Sequence, residues 1–320
     1  MAKYLVTGIA GFIGSAIARG LLEKNESVRG LDDFSTGKWE NIVEIGNEID
    51  FRGVSLLDQA GLASACEGID YVIHQAALPS VPKSVSEPEL THNVNVNGTL
   101  NLLLAARNAG VKRVVYAASS SAYGNSETLP KHEGMVPRPI SPYAVQKLTG
   151  EYYMQAFAEV YGVETVSLRY FNIFGPRQDA NSQYSAVLAK FITQMQQGES
   201  PTIFGDGEQS RDFTYVANAV QANLKACVAK GVSGKVFNIA TGTRFSLNQT
   251  FEMLRKIIGF NGPVKYAAER TGDVKHSLAD ISLAQKHLGY VPEVGFEEGL
   301  RRTVKWYQEM RTAAEMVAAR

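Results

Sequence analysis

The chain has 320 residues, 45% hydrophobic and 20% charged, enough to bury a large core in one big α/β domain or two smaller ones. Its 32 Lys and Arg balance 32 Asp and Glu, so no overall field draws it to nucleic acid or an anionic membrane, and an anionic ligand must be met by locally placed arginines. The two cysteines, Cys66 and Cys227, lie far apart in sequence and give no disulfide framework.

The opening Met1-Ala2-Lys3-Tyr4-Leu5-Val6-Thr7 runs directly into a strand pattern, without the regions of a signal peptide, and no apolar run approaches membrane-spanning length. A cytoplasmic protein is expected. Apolar runs at 4–7, 27–31, 71–74, 113–117 and 165–168 read as strands, and helical-period segments at 12–24, 59–66, 89–109 and 143–161 read as the helices between them. That alternation predicts a doubly wound parallel sheet covered on both faces. Beyond Asn172 the rhythm changes: turn-forming residues crowd 174–185 and 198–212 around a helical stretch at 186–196, as suits a ligand-covering region. A strand at 237–240, a helix at 247–258, a short strand near Val264 and an amphipathic helix from Phe296 follow, and the Ala-rich stretch 312–320 reads as a frayed helix end.

Gly8-Ile9-Ala10-Gly11-Phe12-Ile13-Gly14 follows the first strand and opens the first helix, which sets backbone N–H groups of a glycine turn against a pyrophosphate. Asp32-Asp33 ends the second strand, where a carboxylate accepts from adenosine ribose hydroxyls. A carboxylate there repels a 2′-phosphate and no Arg stands beside it, so NAD is expected over NADP, although Lys38 is close in sequence.

Tyr143 and Lys147 are four apart on one predicted helix and share a face. A free phenol with a pKa of about 10 is a poor base at neutral pH, and a neighbouring ammonium is expected to favour the phenolate. Ser119 follows the strand ending at Ala117, on the carboxyl edge where such sheets bind ligands, and its hydroxyl suits a short proton relay. The five histidines lack metal-ligand spacing, so no metal site is expected, and His74 reads as a satisfied core residue.

The Gly-x-x-Gly-x-x-Gly spacing resembles the extended short-chain dehydrogenases/reductases. So do Gln75-Ala76-Ala77, Asn95-Val96-Asn97-Gly98-Thr99, Ser119-Ser120-Ser121-Ala122-Tyr123-Gly124 and Tyr143-Ala144-Val145-Gln146-Lys147. The segments Arg169-Tyr170-Phe171-Asn172-Ile173-Phe174-Gly175-Pro176-Arg177, Arg211-Asp212-Phe213 and Arg270-Thr271-Gly272-Asp273 look like the UDP-hexose 4-epimerase branch. Gln75 to Pro82 and the triple serine look most like UDP-N-acetylglucosamine 4-epimerases. In one place the chain departs from the pattern: Val54-Ser55 stands where the family often has Gly-Asp near the adenine amino group.

The resemblance implies a Rossmann domain over 1–172 carrying the catalytic residues, and a mainly UDP-sugar-binding region over 173–320, from which about 213–245 returns to the first. It places Ala76, Ala77, Asn95, Tyr143, Lys147 and Tyr170 with the glycines and acidic pair at the NAD. Tyr143 would take the C4 hydroxyl proton as hydride leaves for NAD, giving a 4-keto sugar that turns over before reduction on its other face. Arg211 and Arg270 would hold the diphosphate, Asp273 the uridine ribose, Asn172 the pyrophosphate or sugar, and Lys83, Ser120 and Ser121 the hexose. Ser277 aligns where a bulky Tyr restricts family members to UDP-glucose and UDP-galactose, so its small side chain implies room for an N-acetyl group. A homodimer through helices 89–109 and 143–161 is the family's implication.

Rival readings share this fold. A 4,6-dehydratase would carry an Asp-Glu pair after the relay residue and a UDP-glucuronate decarboxylase a Glu at position 121, whereas this chain has Ser120-Ser121. An epimerase restricted to non-acetylated sugars and a UDP-glucuronate 4-epimerase remain alternatives. So does a non-catalytic NAD-sensing module, although such a module needs no Tyr–Lys pair.

Overall fold

The computed structural model describes residues 1–180, 187–269 and 275–318. The chain begins β1 (Lys3–Thr7), α1 (Phe12–Leu22), β2 (Ser27–Leu31), β3 (Asp50–Arg52), α2 (Gln59–Cys66) and β4 (Tyr71–His74). Then come α3 (Val81–Ser86), α4 (Pro88–His92), a π-helical turn (Asn93–Asn97), α5 (Gly98–Asn108), β5 (Arg113–Ser119), α6 (Pro142–Tyr161) and β6 (Glu164–Tyr170). The remainder is β7 (Ile173–Phe174), α7 (Val187–Gln196), β8 (Thr202–Phe204), β9 (Ser210–Arg211), β10 (Thr214–Tyr215), α8 (Val216–Val228), β11 (Lys235–Ile239), β12 (Phe245–Ser246), α9 (Leu247–Ile258), β13 (Lys265–Ala267), α10 (Ser282–Leu288) and α11 (Phe296–Ala318).

Among the described residues, seven parallel strands form the main sheet in the order β11-β6-β5-β4-β1-β2-β3. Parallel strands need crossover helices, which cover both faces and leave the strands buried. The pleat divides the core accordingly. Val115 and Ala117 join Ile17, Leu21 and Ala222 on the α1/α8 face, while Val114, Tyr116 and Ala118 join Leu102, Met154 and Phe157 on the other. β11 lies against β6, so after leaving the sheet at Tyr170 the chain returns to it. A third core, with Phe174, Phe191, Phe213, Phe251, Phe296 and Leu300, belongs to the later segments, and Phe213 and Phe245 stack on Phe296 at 4.9 and 4.5 Å.

Local signals explain α6. The Ser141 hydroxyl accepts from the Ala144 N–H at 3.2 Å, Pro142 occupies the first turn and Gly162 closes the helix at φ +68°. The long helix expected over 89–109 is instead interrupted by the π turn. There the Asn95 side chain bonds to Leu78, and the Thr99 hydroxyl takes the Asn95 carbonyl at 2.7 Å, which loosens the helical ladder. Among the described residues no helix is long and apolar enough to cross a membrane.

Candidate active site

The carboxyl ends of the sheet strands open into one long cleft. One wall is the turn after β1. Gly8 has φ +69°, and a Cβ there would stand 2.7 Å from the Ala76 nitrogen; a Cβ on Gly14 would stand 2.0 Å from the Gly8 carbonyl oxygen. Glycine is therefore what lets the turn, α1 and the loop after β4 meet. Gly11 precedes α1 with no side-chain cap, so the N-terminal N–H groups around Phe12, Ile13 and Gly14 face the cleft with the helix dipole behind them. The buried Asp32 accepts from the Ala10 and Phe34 N–H groups at 2.9 and 2.8 Å. Burial pushes its carboxyl up, and those two donors oppose the rise. Asp33 sits at the exposed rim and accepts from Ser35, while Val54 and Leu56 supply an apolar wall.

Ser119, Tyr143 and Lys147 converge on the cleft from the end of β5 and one face of α6. The Ser119 oxygen accepts from the Ser121 hydroxyl at 2.8 Å and its N–H at 3.2 Å, and the Ser119 hydroxyl lies near enough to the Tyr143 phenol to act on it. The Tyr143 N–H is held by the Ser84 hydroxyl at 3.0 Å. Lys147 Nζ donates to the Ala117 carbonyl at 2.9 Å. The expected lowering of the phenol by Lys147 is corrected for the protein alone. Protein crowds the ring although the residue is in part open to the cleft; this burial pushes Tyr143 up to about 12, against which the Ser119 hydroxyl works. Burial also pulls Lys147 down to about 8, with Glu151 opposing.

Two cofactor-side expectations need restatement. Asn95 does not line the cleft. Its amide is spent on the Leu78 N–H (2.8 Å), the Leu78 carbonyl (3.2 Å) and Gln146 (2.9 Å), so it shapes the loop that presents Ala76 and Ala77. Tyr170 does line it, but its hydroxyl turns inward to accept from Gln75 and Asn223 at 3.0 and 2.6 Å, which leaves the ring as its contribution.

On the substrate side, Asn172 borders the cleft at φ +38° and donates to the Asp212 carbonyl at 3.2 Å. Arg211, which donates to the Ser210 and Lys275 carbonyls, lies beside Ser277, whose N–H donates to Ser210 at 2.9 Å. Ser277 is buried; Ser120 and Ser121 are partly so, in the turn after β5. Lys83 lies in the first turn of α3 and does not line the cleft. The expected anchors Arg270 and Asp273 lie outside the described residues.

The sequence reading missed several contributors. Ser35, Thr36 and Gly37 line the cleft, and the polar turn Phe34-Ser35-Thr36-Gly37-Lys38 directly after the acidic pair was the available signal. His74, by contrast, is a core residue as expected. Its Nδ1 meets the Thr7 hydroxyl at 2.8 Å and its Nε2 the Thr99 hydroxyl at 3.0 Å. Because Thr99 donates to Asn95 and Thr7 accepts from Ala76, the pattern assigns the proton to Nε2. Burial first, then the Lys147 charge, pulls the ring down to about 3, so it is neutral.

A doubly wound sheet, a glycine turn capped by an acidic strand end and a Tyr–Lys pair on the next cleft wall define a dinucleotide-dependent enzyme of the extended short-chain dehydrogenase/reductase type. The pattern of the NAD dependent epimerase/dehydratase family matches residues 4–240, and the chain belongs to that family. A putative UDP-glucose 4-epimerase of Methanocaldococcus jannaschii is 39% identical, across 94% of this chain and 97% of its own. The solved UDP-N-acetylglucosamine 4-epimerase of Methanobrevibacter ruminantium M1, in complex with UDP-N-acetylmuramic acid, is 42% identical with TM-score 0.92, over 97% of this chain and 99% of that one. The UDP-glucose 4-epimerase of Thermotoga maritima, solved with UDP-glucose, is 38% identical with TM-score 0.92, over 97% and 99%.

Proposed function

We propose that the chain is an NAD-dependent 4-epimerase of UDP-hexoses that interconverts UDP-N-acetylglucosamine and UDP-N-acetylgalactosamine and accepts the non-acetylated pair less well. The observation that carries the reading is the convergence of Ser119, Tyr143 and Lys147 on the cleft that an uncapped helix N-terminus also lines.

The glycine cradle fits a dinucleotide, because any Cβ at Gly8 or Gly14 would fill the space that brings N–H groups to the cleft. The N–H groups at Phe12 and Ile13 would hold the pyrophosphate, and Asp32 and Asp33 would meet the ribose, with Ala76, Ala77 and Tyr170 beside the remainder. NAD supplies a hydride acceptor and donor for C4. Tyr143 takes the proton of the C4 hydroxyl as that carbon is oxidised and returns it on reduction. Ser119, beside the phenol, relays the proton, and Ser121 donates into Ser119 to orient it. Lys147 supplies the positive charge that a phenolate requires in a buried site. Arg211 and Arg270 suit the diphosphate through their forked donors, and Asn172, Asp273 and Ser277 complete the substrate side.

Purified protein is incubated with each UDP-sugar, and epimer formation is measured by chromatography. Epimer is expected without net NADH. Tyr143→Phe is expected to keep NAD and lose turnover, whereas Ser119→Ala costs about 10²-fold. Retention of more than about a tenth of wild-type turnover by Tyr143→Phe would remove it as the base. A 4-keto-6-deoxy product or release of carbon dioxide would select a dehydratase or a decarboxylase.

A further inference from the structure

Tyr143, Lys147 and Glu151 repeat at four-residue intervals on the buried face of α6, and Glu151 is more deeply buried than Lys147, at 1% against 4% exposure. A carboxylate so placed needs a partner, and it has one. Arg169 on β6, itself 4% exposed, donates to both of its oxygens at 2.9 and 2.7 Å and rests its guanidinium over the Tyr123 ring at 4.7 Å. Two parallel donors fix the carboxylate in orientation as well as in charge. The next layer is Lys147, whose ammonium sits 5.0 Å over the Tyr116 ring and donates to Ala117. The Tyr116 hydroxyl meets the Lys147 carbonyl at 3.4 Å and lies where a Cβ on Gly150 would stand, so α6 is seated against β5 at this level.

We propose that Glu151 is a positioning residue of the catalytic set: braced by Arg169, its carboxylate holds the Lys147 ammonium as a cation one helical turn beneath the Tyr143 phenol. The inference rests on the reading of Tyr143 as the base. The titratable groups around Lys147 are Tyr143 and Glu151 on α6, Tyr116 on β5 and His74 on β4, with Arg169 on β6 bonded to Glu151. His74 and Tyr116 are neutral through burial, and Arg169 is committed to Glu151, so Glu151 is the anion that offsets the desolvation of Lys147. The coupling is mutual, since Lys147 also lowers Glu151, which burial raises.

The sign follows. Removing the carboxylate makes Lys147 lose its proton at lower pH, so activity falls earlier as pH rises. The test is kcat against pH for Glu151→Gln, beside the 13Cε titration of Lys147 in enzyme carrying [13Cε]lysine, with the resonance assigned by its loss in Lys147→Arg. The expected result is an alkaline limb about one pH unit or more lower, the Lys147 resonance titrating lower with it, and KM for the UDP-sugar close to wild type. Should the lone buried Arg169 prevent folding, Glu151→Gln/Arg169→Met removes both charges and must show the same shift. A wild-type pH profile with unchanged Lys147 titration overturns the proposal. So does an equal loss of kcat at every pH, which is what a merely structural pair would give. Activity surviving in Tyr143→Phe would instead overturn the base assignment, independently of Glu151.

Discussion

Ser277 is buried and its N–H is bonded to the Ser210 carbonyl at 2.9 Å, beside Arg211, so its backbone cannot shift without moving the strand that carries the arginine. Replacing it with Tyr adds a ring at a fixed point. Ser277→Tyr is expected to eliminate turnover of UDP-N-acetylgalactosamine while sparing UDP-galactose, and the check is kcat/KM for both pairs on both proteins. Discrimination by an extra group against a wall runs at about 10- to 200-fold when the wall is apolar and yields a little, so a loss beyond that range identifies a rigid gate. A tyrosine variant still using acetylated sugars well would remove Ser277 from the pocket. The role proposed for Ser277 rests on alignment with family members, whereas the convergence of Ser119, Tyr143 and Lys147 on one cleft was legible from position and spacing. The bonds of Asn95 to Leu78 and Gln146 were not legible, because a motif shows that an amide stands there but not which way it turns.

At the scale of elements, the turn between β1 and α1 shows how tightly cofactor binding and packing are joined. A Cβ on Gly14 would stand 2.0 Å from the Gly8 oxygen, 2.8 Å from the Gly8 carbon and 3.0 Å from the Ile9 Cα, all backbone atoms. None of these can swing aside as a side-chain tip could. Gly14→Ala is therefore expected to push α1 off the turn, at a cost of about 1–3 kcal/mol by overpacking. It should lose NAD on desalting while UDP affinity by calorimetry changes little; retention of NAD at the wild-type ratio would show that the turn absorbs the methyl. This element was legible because a glycine turn between an apolar strand and a helical period is a local pattern. β5 was legible for a related reason, its run from Arg113 to Ala118 being buried on both faces. β3 was not. Only Phe51 of its three residues is even partly buried, so at the sheet edge it carries no apolar run. The π turn escaped notice because the bonds of Asn95 that distort the helix reach Leu78 and Gln146, 17 and 51 residues away.

Across the whole molecule, one buried carboxylate gathers the segments that carry the residues proposed for the substrate side. Asp212 has no exposed surface, and its oxygens accept from the Thr241 N–H at 2.9 Å, the Thr241 hydroxyl at 2.8 Å, the Gly242 N–H at 3.0 Å and the Ala279 N–H at 3.2 Å. These donors lie 29, 30 and 67 residues along the chain, so one side chain ties the segment after β9 to the turn after β11 and to the stretch before α10. Arg211 precedes it, Ser277 lies two residues before Ala279, and the Asp212 carbonyl receives the Asn172 amide. Three proposed substrate contacts thus share one anchor, a convergence no local window contains. Asp212→Asn keeps the shape but turns one acceptor into a donor facing N–H groups, which leaves buried donors unpaired at about 1–3 kcal/mol. The glycine turn, Asp32 and α6 make none of these bonds. The expected outcome is a raised KM and weakened UDP binding, by about 10-fold or more, with kcat at saturating sugar and the bound NAD ratio near wild type. Loss of kcat and of NAD together with the sugar would show instead that Asp212 supports the fold as a whole rather than the substrate side alone.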